Sequence, residues 1–219
     1  MAVDFVQSAY ERTGSSSAAP TFGGSVVEGN AVAVWVGFEH ASVTVSSVTD
    51  NKGNTYNALT SLVRSSDRCG QWFLATDVIG GSSFQVTATL SGSVGDVTVS
   101  IHEFSGVDND TPTAGTDSVT SNTGGSISAT DDDSMLVGAA YANTDTNPDT
   151  GNGFTSRWDE VFNNWHVVQT KPVDTGSVNS TFTGGASLIA HQSFVFNPAP
   201  PEPPPPVPMR RGNMAFAGA

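Results

Sequence analysis

Apolar and polar residues alternate one for one along most of this chain, and the alternation restarts every eight to twelve residues after a cluster of Gly, Asn, Asp or Ser. "VDFVQSAYERT" alternates around Val3, Phe5 and Ala9 and predicts an edge strand. "GNAVAVWVGFEH" breaks the rule with a near-continuous apolar run from Ala31 to Phe38, which predicts a central strand covered on both faces. "ASVTVSSVTD" returns to alternation at Val43, Val45 and Val48, "SSFQVTATL" at Phe84, Val86, Ala88 and Leu90, and "GDVTVSIHEFSGVD" at Val97, Val99 and Ile101 before a break at Gly106. "NALTSLVRSS", "CGQWFLATDV", "GGSISAT", "SMLVGAAYAN", "GSVNSTFTGG" and "ASLIAHQSFVFNP" add further strands, and "GFTSRWDEVFNNWHVVQTK" reads as a hairpin with Asn163-Asn164 at its tip. "DNKGNTY" carries turn chemistry, with Asp50, Asn51 and Asn54 as side-chain caps and Gly53 for a positive φ. No segment longer than about ten residues holds the 3.6-residue period of a helix.

About twelve short strands so spaced predict an all-β, two-sheet antiparallel sandwich, with a jelly roll ahead of an Ig-like Greek key. No repeat at a fixed period is visible. Turns are spread evenly up to Asn197, so residues 1–197 read as one sandwich domain, 198–208 as a polyproline spacer and 209–219 as a C-terminal anchoring peptide.

Composition narrows the classes. Gly is abundant and charged residues make up only 13%, so surface polarity comes mainly from Ser, Thr, Asn and Asp. The formal charge is −13, and twenty of the twenty-one carboxylates lie before Pro198, whereas Arg210 and Arg211 leave the tail with a net positive charge. An acidic body repels phosphate backbones and anionic lipid, which argues against nucleic-acid and membrane partners. Acidity also keeps particles apart. Cys69 is the single cysteine and reads as a buried thiol. There is no apolar run of about 18 residues and no basic-then-apolar leader. A surface-like composition without an export signal fits a virion protein released by lysis.

Candidate chemistry is sparse. In "SIHEFSG", His102 and Glu103 are neighbours on a strand, so they point to opposite faces and cannot act on one atom together. The expectation is one solvated residue and one capping a turn. His40, His166 and His191 are scattered, without metal-ligand spacing. No G-x-S-x-G and no phosphate loop occurs. Asp108, Asn109 and Asp110, and Asp131, Asp132 and Asp133, are oxygen-rich turns of the kind calcium favours, but the residue types are equally those of ordinary turns. Trp35 and Trp72 sit in apolar runs and read as core. Trp158 and Trp165 flank a polar hairpin with Arg157, Asn163 and Asn164, a set suited to stacking on a sugar ring and pairing its hydroxyls.

"VTDNKGNTY", "WFLATDVIGGSSFQVTATLSG", "IHEFSGVDNDTP", "SMLVGAAYA" and "ASLIAHQSFVFN", taken in that order over residues 30–197, resemble a β-sandwich domain family found in bacterial secreted proteins and phage virion structural proteins. The resemblance implies a sandwich fold and an accessory, non-catalytic role.

The tail lies outside that resemblance. Eight prolines between Pro198 and Pro208 adopt polyproline II at ~3.1 Å per residue, a stiff spacer of roughly 30–35 Å. Beyond it, Met209, Met214 and Phe216 offer apolar anchors, and Arg210 and Arg211 offer cations for a partner's carboxylates. The expected function is a non-enzymatic structural protein of a tailed-phage virion, on the capsid or tail. It would be anchored to another virion protein through this peptide and form a homo-oligomer, such as a trimer. A carbohydrate-binding adhesive module that contacts host-surface glycans is the alternative.

Overall fold

A computed structural model describes residues 1–142, 149–159, 165–183 and 189–201. All its elements are strands: β1 (Asp4–Thr13), β2 (Ser17–Ala18), β3 (Ala31–Glu39), β4 (Val45–Asp50), β5 (Asn57–Ala58), β6 (Val63–Ser65), β7 (Arg68–Ala75), β8 (Val86–Leu90), β9 (Val97–Ser105), β10 (Thr113–Val119), β11 (Ile127–Ala129), β12 (Ser134–Ala142), β13 (Asp149–Thr150), β14 (Thr155–Asp159), β15 (Trp165–Val173), β16 (Gly176–Val178), β17 (Phe182–Thr183) and β18 (Ile189–Phe196). All pairings are antiparallel.

The strands sort into two halves that share no sheet. In the first, an inner sheet runs β1-β9-β3-β7-β5, with β6 also on β7, and an outer sheet runs β2-β8-β4. In the second, an inner sheet runs β10-β18-β12-β15-β14, and the outer layer is two short ladders, β11-β16 and β13-β17. The two orders are the same order. First and last strands are neighbours, the third lies beside the last, and the second pairs with the penultimate across the outer layer; this is the jelly-roll arrangement. The counterpart of the continuous β8 is broken into β16 and β17. The sandwich is therefore present as expected, but twice. The body read as one two-layer domain over 1–197 is two jelly rolls in tandem, joined by residues 106–112, and the repeat is one of topology rather than of sequence period.

The two inner sheets pack face to face, giving four layers. Val32, Val34, Val36 and Phe38 of β3 and Val97, Val99 and Ile101 of β9 meet Val86, Ala88 and Leu90 of β8 in the first core. The opposite faces of the same strands, with Ala33, Trp35 and Phe104, and Trp72 of β7, meet Met135, Val137, Ala139 and Tyr141 of β12 and Phe194 and Phe196 of β18 in a second core between the halves. Beyond β12, Leu136 and Val195 pack under Ile127 and Ala129, and Ala140 and Val167 under Phe182. Hence β3 and β12 are apolar at nearly every position, because each is covered on both faces.

The seam between the halves is partly polar. Thr98, Ser100 and His102 of β9, Gln192 of β18 and Thr170 of β15 are fully buried. Gln192 ties the halves together. Its Oε1 accepts from the Thr60 hydroxyl (2.6 Å) and the Trp72 amide (3.2 Å), and its Nε2 donates to the Ser61 carbonyl (2.5 Å). At one end of the seam, Gly37 and Gly70 face each other across β3 and β7. The missing side chains leave room for two rings, the Trp35 indole over Gly70 and the His166 imidazole over Gly37. His166 stacks on Tyr141 at 3.9 Å, and the Arg68 guanidinium lies 5.4 Å from the Tyr141 ring while pairing with Glu39 at 2.5 Å. Asp96 accepts from Arg12 Nε at 2.6 Å and from the Tyr141 hydroxyl at 3.4 Å.

Candidate functional site

The residues that fix where the tail leaves the body come from the link between the two jelly rolls. Gly106 ends β9 with a φ of 71°, and a Cβ there would collide with the Ala2 carbonyl, so only glycine turns the chain at this point. Val107 then bridges Pro198. The Asp108 amide donates to the Asn197 carbonyl (3.0 Å), and the Ala199 amide donates to the Gly106 carbonyl (2.7 Å). Asn197 is buried. Its own amide donates to Pro112 O (2.9 Å), and its side-chain Nδ2 donates to Thr111 O (2.8 Å). The N-terminal ammonium donates to Ala199 O at 2.9 Å. The start of the proline stretch is thus a built socket, with the link on one side and the N-terminus on the other.

The acidic turn in that link serves the socket. Asp108 Oδ1 accepts from the Asp110 and Thr111 amides, and Oδ2 accepts from the Thr111 hydroxyl. These bonds hold the carboxyl below its ordinary range, the Thr111 hydroxyl contributing most. Asp132 is engaged likewise by the Thr175 amide and hydroxyl, and Asp131 by the Thr130 hydroxyl. The two turns raised as calcium candidates therefore use carboxylates as caps, and among the described residues no three His, Cys, Asp or Glu side chains gather as a metal site.

His102 and Glu103 point to opposite faces, but neither is solvated, which corrects the expectation for this pair. The reason is the extra layer. His102 faces the seam, between the rings of Phe5 and Trp72, with Nε2 3.1 Å from Ser100 Oγ. Burial, assisted by Arg157, lowers its pKa to about 3, so it is neutral. Glu103 faces the first core's edge and accepts from Gln7 Nε2 (2.6 Å), the Val27 amide (2.8 Å) and Asn30 Nδ2 (2.6 Å), pinning the 22–30 loop. Cys69 is buried, as expected, with burial raising its pKa.

Arg157 is the member of the hairpin set whose side chain is described, and it is committed elsewhere. Its guanidinium lies 4.1 Å from the centroid of the Phe5 ring, its Nε donates to Thr170 Oγ1 (2.7 Å), and its carbonyl accepts from the Ser8 hydroxyl (3.1 Å). Burial lowers its pKa. It clamps β1 of the first jelly roll onto β14 of the second. Trp158 stands opposite Val168 and Trp165 opposite Ala142 in the ladders. The tryptophan side chains, Asn163 and Asn164 lie outside the described residues, as do Met209, Arg210, Arg211, Met214 and Phe216.

Sequence reasoning had marked Gly106 as a break but missed Asn197, because its role is set by a carbonyl 86 residues away in the chain. No family model matches the chain, and no curated protein or solved structure does either. The tandem jelly roll accordingly rests on strand order.

Proposed function

We propose that this chain is a non-enzymatic structural protein of a tailed-phage virion, on capsid or tail, whose four-layer body is held off the particle by the proline stalk and attached through residues 209–219. The observation that carries this reading is the socket around Asn197–Ala199. A stalk transmits position only if its base is fixed, and here the base is tied to the inter-domain link by three backbone hydrogen bonds and a buried amide side chain. The charge division supports it too, with a net-acidic body and a net-positive tail carrying Arg210 and Arg211. Partners are then other virion proteins offering carboxylates and apolar pockets, and copies of this chain gain avidity by oligomerising.

Several groups that could do chemistry hold the fold together. His102 lies neutral in the seam, Glu103 holds a loop, and Asp108 and Asp132 cap turns. No helix among the described residues is long and apolar enough to cross a membrane. Deleting residues 202–219 is expected to abolish incorporation into particles while the thermal midpoint of the purified body stays where it was. Incorporation at the full-length level would end the anchoring reading, and turnover of any substrate by the body would end the non-enzymatic one.

A further inference from the structure

Beside the edge strand β5, at the junction of the first jelly roll with the link, lies a cleft of 530 Å³. That size falls in the range of small-ligand sites, roughly 300–1,000 Å³. It was not foreseen from the alternation, because its lining comes from three separate loops. Thr55 and Asn57 follow the Asp50 turn, Thr76 and Asp77 follow β7, and Pro112 belongs to the link.

The walls are rigid. Asp50 Oδ1 accepts from the amides of Lys52, Gly53 and Asn54, and Oδ2 accepts from Asn54 Nδ2 and the Tyr56 hydroxyl. Asn54 in turn grips the backbone of Ile79 from both sides, accepting from its amide (2.7 Å) and donating to its carbonyl (3.3 Å). Ile79 is consequently held 58% exposed on a fixed loop at the cleft's rim. Asp77 sits at a φ of 51°, a left-handed conformation unusual for a residue with a side chain. Among the described residues, the side chains of Thr55, Asn57, Thr76 and Asp77 make no hydrogen bond, whereas the neighbouring Asp50 and Asn54 are fully engaged.

We infer that this cleft is a binding site for a neutral saccharide. Free hydroxyl, amide and carboxylate groups pair with sugar hydroxyls, while Leu59 and Leu74 below and Ile79 and Pro112 beside them offer apolar surface to a sugar's C–H face. The lining carries no cation, so it does not select phosphate, sulfate or a carboxylated sugar, and Asp77 repels them. With one carboxylate it lacks the ligand set of a calcium site. With no aromatic ring it offers no stacking platform for a nucleobase. The fixed walls mean that little ordering entropy opposes binding. Its lining shares no residue with the Trp158–Trp165 hairpin.

The test is saturation-transfer NMR on the full chain with glucose, galactose, mannose and N-acetylglucosamine, using sialic acid and glucose 6-phosphate as charged controls. At least one neutral sugar should bind with a Kd on the order of 1 mM or tighter. Asp77→Gly relieves the left-handed strain and so keeps the fold, yet should weaken binding at least about tenfold. Asn57→Ala, on an exposed position, should act in the same direction, whereas Trp158→Ala, Trp165→Ala and removal of residues 202–219 should leave binding unchanged. Any of three results would overturn the inference: silence from all four neutral sugars, equal or stronger binding of the charged controls, or binding indifferent to both Asp77→Gly and Asn57→Ala.

Discussion

Gly70 shows how a single missing side chain organises the contact between two domains. A Cβ there would run into the Trp35 ring, which fills the space over it. Trp35 packs against Trp72 at 5.4 Å, and Trp72 meets Phe194 of the other jelly roll edge to face at 5.2 Å, so displacement of one ring is passed to the seam. Gly70→Ala is therefore expected to destabilise the protein by about 1–3 kcal/mol, the range for overpacking a filled core. Chemical denaturation should show a lower midpoint with an unchanged slope, and Trp35→Phe in the same chain should recover part of the loss. That Trp35 and Trp72 are core was legible from their apolar runs. That a glycine beneath them carries the interface was not, because a glycine in a strand reads only as a weak point until its neighbour's ring is placed.

Strands in this protein carry different work on their two faces, and β9 is the clearest case. Val97, Val99 and Ile101 were read correctly as inward-facing. Thr98, Ser100 and His102 between them look like a solvent face in sequence but are buried against the second jelly roll. A polar residue in a strand predicts water only where nothing else covers that face; here the Ser100 hydroxyl and the neutral His102 imidazole hydrogen-bond each other, while Thr98 Oγ1 and His102 Nδ1 are buried without a partner among the described residues. The last residues of β9 hold the strand to the loop above it. Glu103 accepts three N–H donors, so Glu103→Gln sets a donor against donors. It should cost about 1–3 kcal/mol and raise amide exchange at Val27, whose N–H donates to Glu103. The central position of β3 was plain from its continuous apolar run, and β12 behaves likewise, with only Gly138 and the terminal Ser134 interrupting it.

At the scale of the molecule, two identical topologies share one seam, and neither half has a full complement of covered faces without the other. The chain should unfold in a single transition, with calorimetric and van't Hoff enthalpies in agreement. Residues 1–112 expressed alone should aggregate or form dimers, because Trp35, Trp72 and Phe104 would face water; a stable monomer of that half would contradict the shared-core account. Acid should act on the same seam. Burial holds His102 at about 3 and His166 well below its ordinary value, with Arg12 and Arg68 adding to the effect on His166; it also lowers His191 beyond the second inner sheet, where the bond to Ser121 opposes it in part. These histidines are neutral in the folded chain and bind protons when it unfolds. Their contribution is intact above the unfolded pKa near 6.5 and declines as pH falls below it, by about 1.4 kcal/mol per pH unit per histidine until the folded pKa is reached. Asp50 adds a later loss: burial raises its pKa, hydrogen bonds from Asn54, Lys52 and Tyr56 lower it further than that, and its net depression is felt below about pH 4. A series of thermal midpoints should fall from about pH 6.5 downward; a flat profile between pH 7 and 5 would show that these imidazoles are not held neutral.

Residue order alone determined that this protein is all-β, that its sheets are antiparallel, and that the carboxylate-rich body gives way to a proline-rich stretch at Pro198. Those properties follow from local alternation, turn chemistry and charge count. Strand pairing between distant segments decided the rest. The doubling of the jelly roll went unseen because equivalent positions need only match in burial, which leaves no repeat at a fixed period. The stalk's socket, the commitment of Arg157 to the seam and the cleft around Asp77 each bring together residues from separate segments, and only the folded backbone sets those distances.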